Sequence, residues 1–220
     1  DPELTKNLPR QITADTGIDV LTHAVEAYSC HWANDFTDGF CLQAARLVKE
    51  YLPRAVADGA DDWEAREKMA NAATMAGLTL GNSSVALAHA MSHGSGSFFK
   101  NVPHGRLTAV YLPYTIEFVA NSGMGRYREL AHAFGVDVDS EEEAGPALAA
   151  AIRDFLREIG QPTTLAEAGV TAEAVEAALP TVVEHVEVES GTLVSRRMPE
   201  DADEIKQLFW YSYEGKAVDF

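Results

Sequence analysis

At 220 residues, 46% of them hydrophobic, the chain is long enough to bury a substantial core as one large domain. Its formal charge of −17 argues against a nucleic-acid partner, because no basic patch is present to displace phosphate counterions. No apolar run is long enough to span a bilayer, and the start, Asp1-Pro2-Glu3-Leu4-Thr5, is no signal peptide. The missing initiator methionine leads us to expect a piece of a longer polypeptide. The two cysteines, Cys30 and Cys41, fall in helical patterns and form no C-x-x-C unit, so a reduced cytoplasmic setting is expected. Acids cluster at residues 58–62 and 137–143. That balance fits either an ordinary acidic protein or one from a salty cytoplasm, where dense carboxylates keep the surface hydrated.

Taken in order, the elements are helices. Asp15 or Thr16 offers an N-cap for a first helix through about Cys30, with Ile18, Leu21, Ala24, Val25 and Tyr28 as its apolar stripe. A second helix is expected from about Thr37 to Tyr51, ended by Pro53 and Gly59. Residues 62–80 form an Ala/Met-rich helix that lets neighbours approach closely. Gly81-Asn82-Ser83-Ser84 breaks the chain before a short buried helix over 85–93 and a loop at 94–97. An apolar helix opens at Gly105, and Pro113 should kink it. Helices are expected at about 125–134, 142–159, 172–179 and 200–213, while the alternation at 182–188 allows a short strand. The fold class expected is all-α.

The chemistry lies in the histidines. Asp19 with His23, and His89 with His93, are four residues apart, so each pair shares one helix face. His104 sits between Pro103 and Gly105 on a stiff turn that opens a helix, a good place to fix a ligand. Three imidazoles and a carboxylate around one point hold a divalent transition metal, with iron and zinc the leading candidates. Spacing alone does not separate His89 from His93 as the ligand. His31, His132 and His185 lack such partners and are read as structural or exposed. Glu129-x-x-His132 has the spacing of a di-iron bundle motif, but such sites need a second copy that is absent here. No P-loop, G-x-G-x-x-G or G-x-S-x-G is present.

The string Thr16-Gly17-Ile18-Asp19-Val20-Leu21-Thr22-His23-Ala24-Val25-Glu26-Ala27-Tyr28 resembles a signature of the iron-containing (group III) alcohol dehydrogenases. So do His89-Ala90-Met91-Ser92-His93, Pro103-His104-Gly105 and Leu112-Pro113, and the resemblance covers essentially the whole chain. It implies the helical C-terminal half of a dehydroquinate synthase-like fold over residues 1–220. By the same resemblance Asp19, His23, His89 and His104 bind Fe(2+), with Zn(2+) the alternative. His93 then acts catalytically, as a proton relay or as a contact to the nicotinamide of NAD or NADP. A small alcohol or aldehyde substrate, a homodimer and a cytoplasmic location are implied as well.

Two departures accompany the resemblance. The interval from His93 to His104 is one residue longer than the family pattern, at Lys100-Asn101, which a loop absorbs cheaply. The nucleotide-binding N-terminal half is not in this sequence, so a fragment, or a separate nucleotide-binding polypeptide, is expected. Phe98, Phe99 and Tyr111 either line a substrate pocket or pack the core. Two rival functions remain: a metallohydrolase that activates water, and a metal-binding helical subunit without turnover.

Overall fold

Ten α-helices and a short 3-10 turn make up the regular structure of the computed structural model, which describes residues 1–220, and no strand is present. The helices are α1 (Arg10–Ser29), α2 (Asp35–Asp58), α3 (Trp63–Leu80), α4 (Leu87–Gly96) and α5 (His104–Asn121). They continue as α6 (Arg128–Ala133), α7 (Glu141–Glu158), α8 (Ala172–Val188), α9 (Ser190–Val194) and α10 (Ala202–Glu214). The all-α expectation holds. A cluster of 60 buried apolar residues runs from Ala14 to Val218, so helices from both ends of the chain share one core. No helix is long and apolar enough to cross a membrane.

Helix starts follow local chemistry. Asn34 caps α2 by accepting from the Phe36 and Thr37 N–H groups, and the Thr37 hydroxyl accepts from the Asn34 N–H in return. Thr37 is therefore the third residue of the helix and not its cap. The first helix begins at Arg10, earlier than Asp15 or Thr16 suggested. Pro9 supplies the extended entry geometry there, and the Asp15 carboxylate is committed to Arg106 and Gln161 instead. At the other end of the chain Gly215 closes α10 at φ 79°, the left-handed conformation glycine tolerates best.

Prolines stop the helices less than expected. α2 continues through Pro53 to Asp58 and thereby buries Ala55 and Val56. α8 likewise continues through Pro180, so the region expected to allow a strand is helical. Val182, Val183 and Val186 are buried while Glu184 and Glu187 face solvent, a period near 3.6 rather than 2. An interior proline costs about 3 kcal/mol, and full burial of each valine contributes about 1.5–3 kcal/mol, so packing wins. α5 spans Pro113, which was expected to kink that helix and not to end it.

α1 is the hub, with α2, α3, α4 and α5 all packed on it. Arg106 on α5 grips Asp15 on α1 with two hydrogen bonds of 3.0 and 2.9 Å, and Gln161 adds a third at 2.8 Å. On α5 the Glu117 carboxylate accepts two bonds from Arg153 of α7 and one from the Val218 N–H. Both cysteines are free and buried, and burial pushes the Cys41 thiol up to about 12.

Gly105 lets α5 lie directly on α1. A Cβ added there would stand 2.2 Å from the Asp15 carbonyl oxygen and 3.1 Å from the Asp19 Cβ. We expect Gly105→Ala to cost about 1–3 kcal/mol, read as a lower thermal midpoint. Gly39→Ala meets nothing within 4 Å on an exposed helix position and should gain up to about 1 kcal/mol. Equal midpoints for the two variants would show that close approach does not constrain α5.

Candidate metal centre

Three helices deliver the predicted residues to one place. α1 supplies Asp19 and His23, α4 supplies His89 and His93, and His104 is the first residue of α5. Donor atoms of Asp19, His89 and His104 all lie within 4.8 Å of one another. Nε2 of His89 is 3.7 Å from Asp19 Oδ1, and Nε2 of His104 is 3.9 Å from the same oxygen. His23 joins through its Nε2, 3.1 Å from Nε2 of His89, and its Nδ1, 3.9 Å from Asp19 Oδ2. His93 stands beside the group with its ring stacked on His104, centroids 5.4 Å apart. Of the two histidines that spacing left interchangeable, it is His89 that faces both Asp19 and His23.

The cluster grades from core to surface. The His89 side chain is 2% exposed, Asp19 and His23 are 19% and 20%, and His93 and His104 are 41% and 47%. The site is thus closed beneath His89 and open over His93 and His104.

Four of the five clustered side chains, all but His23, have a partner that sequence reasoning missed. Buried Glu26 faces Nδ1 of His89 at 2.5 Å and accepts the N–H groups of Ala86 at 2.9 Å and Ala88 at 2.6 Å. Thr108 donates its hydroxyl to Asp19 Oδ1 at 2.8 Å, and the Ser92 hydroxyl lies 3.2 Å from Nδ1 of His104. Glu189 meets Nδ1 of His93 at 3.3 Å. One of these was within reach of the sequence. Glu26 is seven residues beyond Asp19 and three beyond His23, so all three share a helix face.

Burial alone would push the His89 imidazole down, but the carboxylates of Glu26 and Asp19 outweigh it and raise it above the ordinary histidine value. His23 and His104 go the other way. Burial lowers both, nearby His89 adds to the effect, and Asp19 opposes it. Two of the three clustered imidazoles are thereby biased toward the neutral form, whose lone pair can bind a cation.

The remaining candidates disperse. Phe99 and Tyr111 are buried in the core, with the Tyr111 hydroxyl 2.9 Å from that of Ser95, so of the three aromatics only Phe98 is exposed. Glu129 accepts the Tyr28 hydroxyl, and Nε2 of His132 lies 3.0 Å from the Val138 carbonyl, which leaves no di-iron motif. His31 and His185 are exposed, as expected. The expected loop at 94–97 is mostly the last turn of α4. Gly94 lies there against α8, where a Cβ would meet Val182 and His185 at 3.3 Å.

A model of the Fe-containing alcohol dehydrogenase family, C-terminal, matches residues 13–209. The chain belongs to that family. It is 33% identical over 220 residues to a NADPH-dependent butanol dehydrogenase of Clostridium saccharobutylicum, covering all of this chain and 55% of that protein. It is 39% identical over 178 residues to a NAD-dependent methanol dehydrogenase of Bacillus methanolicus, covering 80% of this chain and 46% of that one. Among solved structures, 1,3-propanediol oxidoreductase superposes with a TM-score of 0.86 at 34% identity, over 97% of this chain and 55% of that chain. The iron-containing alcohol dehydrogenase of Thermococcus thioreducens gives 0.86 at 31% identity, over 98% of this chain and 54% of that chain. The chain therefore spans about half the length of the relatives it matches.

Glu26 gives the site a direct stability test. Glu26→Ala leaves two buried N–H groups and a buried imidazole without their acceptor, and breaking such a pair costs about 3–5 kcal/mol. Urea unfolding should show a lower midpoint at an unchanged slope. Parent-like stability would mean that Glu26 does not hold α4.

Proposed function

We propose that residues 1–220 form the metal-binding catalytic unit of an iron-dependent alcohol dehydrogenase that works with NAD or NADP. The observation that carries this is the meeting of Asp19, His23, His89 and His104 from three helices. Two nitrogens bound to one divalent ion at about 2.0–2.1 Å each stand about 3.0–3.4 Å apart. Nε2 of His23 and Nε2 of His89 are separated by 3.1 Å, so the residues present fit such an ion. The set has no thiolate, which suits Fe(II), and zinc is the alternative. Family membership favours iron.

When bound, the ion supplies Lewis acidity that eases loss of an alcohol's hydroxyl proton or polarises a carbonyl, and the nicotinamide takes or gives the hydride. The protein's part is orientation. Glu26 holds the hydrogen on Nδ1 of His89, which leaves Nε2 as the donor lone pair. Thr108 steers the Asp19 carboxylate, and Ser92 steers His104. His93, on the open side, accepts the hydroxyl proton at a ring nitrogen and passes it to solvent. The substrate is a small alcohol or its aldehyde. We read the nucleotide-binding half as lying outside these residues, and the working form as a cytoplasmic homodimer.

Elemental analysis of the purified chain tests the ligand set. His89→Ala and His104→Ala should each lose most bound iron or zinc, more than the roughly 10–100-fold weakening expected when a supporting residue such as Ser92 is removed. His93→Ala should keep its metal. Unchanged metal content in both ligand variants refutes the site, and equal loss in His93→Ala refutes the assignment.

Turnover tests the reaction. The chain alone should oxidise no alcohol with added NAD or NADP, and should do so once joined to a nucleotide-binding half. Robust oxidation by the chain alone overturns the division of labour. Metal-dependent hydrolysis without nicotinamide places the site among hydrolases, and metal binding with no turnover even when joined makes it a structural module.

A further inference from the structure

His93 lies one helical turn beyond His89, and its ring is stacked on His104 with 14° between the planes. Stacking fixes the plane of the ring but not which nitrogen carries the hydrogen. That choice falls to the partner of Nδ1, which is Oε1 of Glu189 at 3.3 Å; Nε2 has no partner within the protein.

Glu189 is not a loose surface acid. It caps α9, and its second oxygen accepts the Gly191 N–H. Its backbone carbonyl accepts the N–H groups of Thr192 and Leu193. Gly191 is seated so closely on α4 that an added Cβ would lie 2.5 Å from the Ala86 carbonyl oxygen. Ala86 is also the residue whose N–H is held by Glu26. The turn between α8 and α9 is thus fixed to the amino end of α4, which carries His89. The Glu189 side chain is 15% exposed against 41% for its partner, so the acid is the more fixed member of the pair.

We propose that Glu189 is a positioning residue that sets the tautomer and orientation of His93. Its carboxylate holds the hydrogen on Nδ1 and presents Nε2, as a bare lone pair, to the open side of the cluster. On the opposite tautomer the outward nitrogen already carries a hydrogen and cannot accept one. Its value to the reaction rests on the reading of His93 as the proton acceptor, while the contact itself does not.

Glu189→Asp separates positioning from folding. Aspartate caps a helix as well as any residue and keeps the charge, but its carboxylate retreats by about 1.5 Å, one carbon–carbon bond, out of reach of Nδ1. Nitrogen-15 NMR of the histidine-labelled chain at alkaline pH reads the tautomer directly. The parent should show His93 with its hydrogen on Nδ1. In Glu189→Asp the hydrogen should move largely to Nε2, with the His89 and His104 signals and the thermal midpoint unchanged. In the full-length enzyme the same variant should lower kcat about tenfold with KM for the alcohol and metal content unaltered. A parent hydrogen on Nε2, or identical His93 signals in both proteins, overturns the proposal. A tautomer change without a kcat change upholds Glu189 as the positioning residue and removes His93 from the chemistry, so the two readings fail separately.

Discussion

The Glu26 carboxylate, bonded on both oxygens in the protein interior, ties α1 to the amino end of α4 and to the side chain of His89 at once. A buried carboxylate without partners is prohibitively costly, and unpaired buried N–H groups cost about 1–3 kcal/mol each. Each partner therefore needs the others, and the register between the two helices has little freedom. The opening turn of α4 adds a favourable dipole for the negative charge. The third helix is placed by different means. Gly105 permits contact with α1, and Arg106 locks it through Asp15. Because these restraints come from core packing and buried hydrogen bonds, the arrangement of donors is built into the fold.

Local chemistry was legible in the sequence and packing between helices was not. The i,i+4 pairs identified Asp19 with His23 and His89 with His93 because helix periodicity is a property of a short segment. The Pro103-His104-Gly105 turn was legible for the same reason, and family resemblance joined the three pieces. What spacing could not supply was which of His89 and His93 faces inward, since that depends on how α4 is rotated against α1. The supporting residues were missed because Thr108, Ser92 and Glu189 acquire meaning only from their neighbours across helix interfaces.

The errors in element boundaries share one cause. Pro53 was read as a stop, and a helix was ended at about residue 179, yet both helices continue because residues beyond those points reach the core. Asp15 was read as a cap because its side chain is a good acceptor, but the half-buried Arg106 made the stronger claim on it. In each case tertiary burial outbid a local preference, and the sequence window holding that preference did not contain the competitor.

The gradient from buried His89 to exposed His104 divides the labour of change in this protein. Alterations at the buried end disturb the helix joint, so they are paid in stability before any benefit in chemistry appears. Alterations on the exposed side, around His93, touch few core atoms and leave the donors where they stand. New molecular preferences can therefore be written on the rim while the foundation stays untouched.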